Sequence, residues 1–495
     1  LQNVGTLVSS GKLQFLKSIS VGNECGTRNL IVYPDTNQNF LEHQLDNLFA
    51  TDFQNQYEAI LNEWQNEIKI HSGFIGPGAV LSNIGVVRNS WIGPHARIVG
   101  ASKIRGSIVL SSLEETTGIY DSVILENSIV QESCMIHSAA QVKNSLVLKK
   151  TKIGKMALVS SSIVSNCCHI EEAEVTSSFV GPLTQLHHHS LLIAALWPKG
   201  CGNIGYGANV GSNHTGRKPD QEIHPGIGTF FGLGVNIKFP ANFKNSPFLL
   251  IASGVTTSPQ RLELPFALIR PGNPEKYGLS KDLNEVVPGF GYGKNAFALE
   301  RNLQKYAQRG KNIISSAFYS LFSVSNVRAV YNAFVKLQDV TVQEIYTGKD
   351  LNILGSNYMR EPVRQFALQV YRNFLERFLF ESVLTAVESD SSMILLSPKE
   401  ILRSLPGEVF KERFSNIELP ATVPEVLKRL RALSKQWVEN VLAGDARDKE
   451  RGQAIFDDYQ QVHPEDKAFY ELVKGQHEQL IRRIQTVLKD SREEA

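Results

Sequence analysis

Aliphatic residues recur at steps of about six from Ile75 to beyond Ile170, and no other feature of the chain restricts its fold as much. Ile92-Gly93 leads to Ile98 and Ile104; Ile124 is followed by Ile129, Ile136 and Val142; Ile153-Gly154 leads to Val159 and then Ile170. Ser, Asn, Gly, Ala and short charged stretches fill the gaps, as in WIGPHARIVGAS and KIGKMALVSSS. A six-residue step matches neither the turn of an amphipathic helix nor the alternation of a plain strand. It matches a triangular solenoid in which each short strand points one aliphatic inward and small residues permit the corners. Successive coils then hydrogen-bond to one another at the spacing of a β-sheet.

The repeat predicts a parallel β-helix over residues 71–270, within a mainly β plus α fold. Shorter β-like pieces, Val4–Ser9, Leu13–Val21 and Leu30–Tyr33, extend the reading to further coils over 1–38. The segment Ser111–Gly118 breaks the period and is expected to bulge as a loop. Over 39–70, Leu41, Leu45, Leu48, Phe49, Phe53, Tyr57, Ile60, Leu61 and Trp64 fall at three- and four-residue spacing. That is one inserted amphipathic helix, whose apolar face must cover the solenoid side or another subunit. Breaks at Arg270–Pro274 and Pro288–Gly291 mark 271–295 as a linker. Beyond it, 296–495 reads as an all-helical domain. Phe366, Val370, Phe374 and Phe378 form one apolar row, and Leu427, Leu430, Trp437, Val438 and Val441 a second. Val473, Leu480, Ile484 and Val487 form a third, with Pro398, Pro406, Pro420 and Pro424 as punctuation.

With 495 residues, 20% charged and a formal net charge of +2, the chain has no polyelectrolyte character, which argues against nucleic acid as partner. No apolar run approaches the length needed to span a bilayer. The five cysteines show no CxxC spacing or paired framework, so reduced thiols and a cytoplasmic location are expected. Adjacent Cys167 and Cys168 would point to opposite faces of a strand and would not bridge. The absence of an initiator Met and of a signal-type segment reads as a chain that starts partway through a longer one.

Nine of the twelve histidines fall between residues 71 and 224, five of them at 187–189, 214 and 224. Here the repeat is expected to give way to a loop excursion over 186–226. It carries His187-His188-His189, the glycine-rich stretch Gly200–Gly211, then Ser212-Asn213-His214 and Arg217-Lys218. An imidazole titrates near neutrality, so His188, with His187 or His214, would serve as a general base toward an attacking hydroxyl or amine. Asn213 and the amides around Gly205 and Gly207 would stabilise an oxyanion, and Arg217 and Lys218 would hold a phosphate. Two other readings stand beside this one. His188, His214 and His224 would converge on zinc in a metal-dependent hydratase or hydrolase. Alternatively, the histidines cap loop carbonyls in a non-catalytic scaffold or regulatory protein. His71, His95, His137 and His169 read as corner or surface residues. The glycine stretch lacks the Gly-Lys-Ser/Thr ending and the context of a nucleotide-binding loop.

The repeats resemble those of hexapeptide acyltransferases and of the β-helical part of nucleotide-sugar pyrophosphorylases. More closely, GPLTQLHHHSLLIA at 181–194, Ser212-Asn213-His214 and Leu264–Ile269 resemble a bacterial family of unknown function, long hexapeptide-repeat proteins with a helical C-terminal part. Gln2-Asn3-Val4-Gly5-Thr6 is similar to a segment that in this family follows further coils, and the resemblance covers roughly residues 1–310. It implies a left-handed β-helix. The characterised acyltransferases add the expectation of a homotrimer with acyl-CoA as co-substrate, a sugar or nucleotide-sugar acceptor, and His188 in the place of their catalytic histidine.

Overall fold

The computed structural model describes residues 1–10, 13–68, 73–211, 222–407, 414, 416–464 and 466–493. They form two compact units. One comprises Leu1–Leu262, Ile269–Asn284 and Arg309–Ser315; the other comprises Glu263–Leu268, Glu285–Gln308 and Ser316–Ala495.

The first unit is a parallel β-solenoid whose coils each give one short strand to three faces. On face 1, Met135–Ile136, Lys152–Gly154, His169–Glu171, Gln185–Leu186 and Asn203–Ile204 pair in succession. Face 2 stacks Gln141–Lys143, Leu158–Ser160, Glu174–Thr176 and Leu191–Ile193. Face 3 stacks Ile129–Val130, Leu146–Val147, Ile163–Val164, Phe179–Val180 and Leu196–Trp197. Ile136, Ile153 and Ile170 lie in register, so a coil is 17 residues (153 − 136 and 170 − 153), just under three six-residue steps. The anchors Ile92, Ile98, Ile104, Val142, Ile153 and Val159 have no exposed surface. One anchor is displaced by a residue. On face 2 it is Leu125, not Ile124, that is fully buried and aligned with Ile104 and Val142, because the loop after Leu110 shifts the phase. That loop, residues 111–117, bulges as expected and exposes Leu113.

The corners explain residue types that a six-residue period leaves open. Between faces 2 and 3 the chain turns through a left-handed residue, Asn89, Gly106, Asn127, Asn144, Ser161 or Ser177. Asn and Gly tolerate that conformation best. The next residue is a buried serine in every case: Ser90, Ser107, Ser128, Ser145, Ser162 and Ser178. Each hydroxyl donates to the carbonyl two residues back and accepts the amide of its counterpart one coil on. Ser145, for example, gives 2.6 Å to Lys143 O and receives Ser162 N at 3.1 Å. Replacing Ser145 by alanine is expected to cost about 2 kcal/mol, because the buried Ser162 amide loses its acceptor. The check is denaturant unfolding together with faster hydrogen exchange at Ser162.

A second ladder runs through Thr117, Cys134, Thr151 and Cys168. Their side chains bond to backbone carbonyls, the thiols to Leu148 and Gly181 at 3.1 and 3.2 Å. Cys134 and Cys168 thus occupy threonine positions. Burial pushes the Cys134 thiol up to about 12 and Cys168 higher, which leaves both unreactive. None of the five cysteines is joined in a disulfide.

Face 3 carries paired apolar residues because both of its sides are dry. Ile108, Ile129, Leu146, Ile163 and Phe179 pack against Leu13, Phe15, Ile19, Leu30, Val32 and Leu41. The amphipathic insertion therefore covers the solenoid wall, one of the two expected roles. Its form differs from expectation. Gln2–Val8 joins the solenoid through Val80–Arg88, but Lys17–Ser20 and Asn29–Val32 form an antiparallel hairpin and not a coil. The single helix expected over 39–70 is two, Gln38–Asp46 and Thr51–Glu67, separated where Asn47 ends the first.

In the second unit the long helix Glu361–Ser389 is buried along most of its length, through Val370, Phe374, Leu375, Leu379 and Leu384 among others. It packs against Val324–Asp339 and Val423–Gln453, and Lys467–Glu493 packs on the latter. Pro398 and Pro424 open helices in whose first turns a Ser or Thr cap and a Glu complete reciprocal capping boxes. This unit is not purely helical: Ile345–Thr347 and Asn357–Arg360 form an antiparallel hairpin. Nor is 271–295 a bare linker, since it holds the strand Asn284–Val287 and the short helix Phe290–Lys294. Among the described residues no helix is long and apolar enough to cross a membrane.

Candidate functional site

Leu186 pairs with Ile170 on face 1, so the corner that follows sets Glu171-Glu172 of one coil beside His187-His188 of the next. The offset is 16 residues (186 − 170), one coil. His188 Nδ1 lies 2.6 Å from Glu172 Oε2, and the His188 side chain is 49% exposed. The hydrogen bond from His188 holds the Glu172 carboxyl below the usual range, so it is an ionised acceptor. In the neutral imidazole this pairing puts the proton on Nδ1 and leaves the lone pair on Nε2. His187 is placed differently. The Asn203 side-chain amide reaches its Nε2 at 3.1 Å and occupies that lone pair. Burial lowers the His187 pKa, with the nearby charges of His169, His188 and Arg309 acting in the same direction. His189 turns the corner at φ 56° and its ring meets Tyr206 edge-on. Next to this pair, Lys155 donates to Glu171 at 2.7 Å and His169 Nε2 stands 3.0 Å from its carboxylate. Burial alone would raise the Glu171 pKa, but these partners bring it down to about 2.

Most of the stretch expected as an excursion, 186–226, is solenoid among the described residues. Leu191–Ile193, Leu196–Trp197, Asn203–Ile204 and Asn209–Val210 all stay in the solenoid, because their aliphatics still fill inward positions. Ile223–His224 also pairs within the stack, with Ala241–Asn242. Gly205 and Gly207 are corner residues of this continuous stack. Their N–H groups donate to Phe231 O at 2.9 Å and His188 O at 3.1 Å, so neither amide is available to an oxyanion without breaking the ladder. Asn213, His214, Arg217 and Lys218 lie outside the described residues, as does His71.

His224 is on face 3, and its Nε2 is 3.1 Å from Glu222. Glu222 also takes Arg28 at 2.9 Å and Asn23 at 3.0 Å. His188 and His224 thus serve different carboxylates at different parts of the coil, and the described residues hold no group of three His, Cys, Asp or Glu side chains suited to a metal. Burial by itself would raise the Glu222 pKa, but hydrogen bonds from His224, Arg28 and Asn23 hold it down to about 2. With a folded value below the ordinary 4.5, its contribution is present above pH 4.5 and lost as pH falls toward 2. Glu222→Gln is expected to remove about 2 kcal/mol at neutral pH and to flatten acid unfolding across that window, as a pH series of denaturation curves would show.

Residues 1–339 match the family described as "Domain of unknown function (DUF4954)". The chain belongs to this family. It is also 30% identical over 350 residues to an uncharacterised protein of Treponema pallidum (strain Nichols), a match covering 70% of the chain and 45% of that protein. The chain thus spans about half the length of this curated relative.

Glu172, Asn203 and Glu222 were not marked by reading histidines alone. The signal that finds Glu172 is the coil length: sixteen or seventeen residues back from a corner residue stands its neighbour.

Proposed function

We propose that this DUF4954 protein is an acyltransferase that moves an acyl group from coenzyme A to a hydroxyl or amine of a sugar or nucleotide-sugar, with His188 as general base. The supporting observation is the His188–Glu172 pair. A carboxylate engages one imidazole nitrogen of a half-exposed ring, which leaves the other to take a proton from an acceptor. Attack on the thioester carbonyl then releases coenzyme A as the thiol. Glu172 also stabilises the imidazolium formed in that step. Lys155, beside the pair and bonded to Glu171, supplies positive charge for a phosphate of either substrate. His214, Asn213, Arg217 and Lys218 remain in this proposal as an assisting base, an oxyanion donor and phosphate contacts. The homotrimer expected from the characterised acyltransferases would set the corner of one solenoid against a neighbour.

The test is incubation of the full chain with acetyl-CoA and a panel of amino sugars and nucleotide-sugars, read as free thiol released. Turnover with one acceptor class supports the reading. No thiol release across the panel, with no shift in melting temperature on adding coenzyme A, overturns it and leaves the scaffold reading in its place.

A further inference from the structure

Two packed helices of the second unit carry the same pattern of apolar and carboxamide residues. It reads Phe366-x-x-Gln369-Val370-x-x-Asn373 on Glu361–Ser389 and Leu433-x-x-Gln436-Trp437-x-x-Asn440 on Val423–Gln453. Residues three, four and seven apart share a helix face, so each pattern is one stripe. The helices run antiparallel: Asn373 Nδ2 stands 3.4 Å from Gln436 Oε1, and further along Arg429 meets Glu376 at 3.0 Å. Both stripes border one cavity of about 250 Å³, to which the short helix Phe290–Lys294 adds Tyr292 and Gly293. Gly293 permits that approach, since a Cβ there would lie 2.6 Å from Val370 Cγ2 and 2.9 Å from Phe366 Cζ.

We propose that this cavity binds a single neutral sugar ring. None of its described lining residues is charged. The arginines that touch its rim, Arg429 and Arg377, are paired with Glu376 and Glu381, and Lys294 rests over the Phe366 ring. What the cavity offers instead is four carboxamides, each a donor and an acceptor at once, as a sugar hydroxyl is. Gln369 gives 2.9 Å to Asn373, while Asn440 has no hydrogen-bond partner among the described residues. The rings of Tyr292, Phe366 and Trp437 supply apolar surface for the C–H face of a pyranose. A flat nucleobase fits less well. The Tyr292 and Trp437 centroids are 4.8 Å apart with planes at 37°, which leaves no slot between parallel rings. The volume lies below the roughly 300–1,000 Å³ of sites for larger ligands, hence one ring and not a chain. The acyl-transfer reading concerns His188 in the first unit, and this site does not depend on it.

The experiment titrates the full chain with glucose, galactose, mannose and N-acetylglucosamine, read by saturation-transfer NMR, with adenosine as the flat-base comparison. Concentrations reach about 10 mM, because so small a ligand with few polar contacts binds in the millimolar range. The expected result is saturable binding of at least one sugar, weakened tenfold or more in Gln436→Ala/Asn440→Ala, with circular dichroism unchanged. Gln369→Ala, at an exposed position, is the second variant should the first lose its fold. No saturable binding of any of the four sugars overturns the proposal. So does sugar binding that is unaltered in these variants, or adenosine binding more tightly than every sugar. Binding that persists in them but disappears in His188→Ala belongs to the acceptor of the acyl-transfer reading and overturns this cavity's assignment alone.

Discussion

Gly181→Ala is expected to destabilise the solenoid by about 3 kcal/mol or more. The backbone of Gly181 is not in the left-handed region, so conformational freedom is not the reason. Space is. A Cβ there would lie 2.4 Å from Gly200 N, 2.4 Å from Pro198 O and 2.5 Å from Trp197 O, all backbone atoms of the next coil. Those atoms cannot move aside. Gly181 N already donates to Trp197 O at 2.8 Å, and Gly181 O accepts Cys168 Sγ and Thr184 Oγ1. Coils held at sheet spacing cannot open locally without giving up ladder bonds. Urea unfolding followed by near-ultraviolet dichroism would measure the loss. Gly475→Ala is the control: it sits within the helix Lys467–Glu493 with open space around it. That change is expected to stabilise by about 0.5–1 kcal/mol. A Gly181→Ala protein within 0.5 kcal/mol of the parent would mean that the coils do not meet at this corner as described.

His188→Ala is expected to lower kcat for acyl transfer by roughly a hundred- to ten-thousand-fold, the range associated with losing a positioned general base. Stability should barely change, because the side chain is half exposed. Glu172→Gln should cost less, roughly ten- to a hundred-fold, since an amide still accepts from Nδ1 but no longer stabilises the imidazolium. His187→Ala is the discriminating comparison. Its Nε2 is occupied by Asn203, so its loss should alter kcat less than tenfold. A folded His188→Ala protein with full acyl-transfer activity would remove the proposed base. Equal losses at 187 and 188 would point to the corner's shape instead of to one imidazole.

Much of the solenoid was legible before any coordinate. Inward aliphatics such as Ile98, Val142 and Ile153 must recur at a fixed step if each coil is to bury one per strand, and that demand is written along the chain. The paired apolars of face 3, Ile-Val at 108, 129 and 163, mark the wall covered on both sides, a signal that the six-residue step does not use. The hairpin at Lys17–Val32 was misread as a coil because short β-like runs do not declare whether their partner is parallel or antiparallel. The region after Leu186 was misread as an excursion because glycine-rich, histidine-rich corners resemble loops. Its inward residues Leu192, Ile204 and Val210 were still in place.

By itself, then, the order of residues determined that the chain coils and what fills the coil, because these depend on burying apolar side chains at a local repeat. Which polar groups meet was decided only in three dimensions. Glu172 reaches His188, Glu222 reaches Arg28 and Lys17 reaches Gly106 across one coil or many, through stacking and docking that hydrophobic period does not encode. The charge on a group follows from that company and from its burial, so the chemistry open to each histidine, glutamate and lysine is a property of the folded stack.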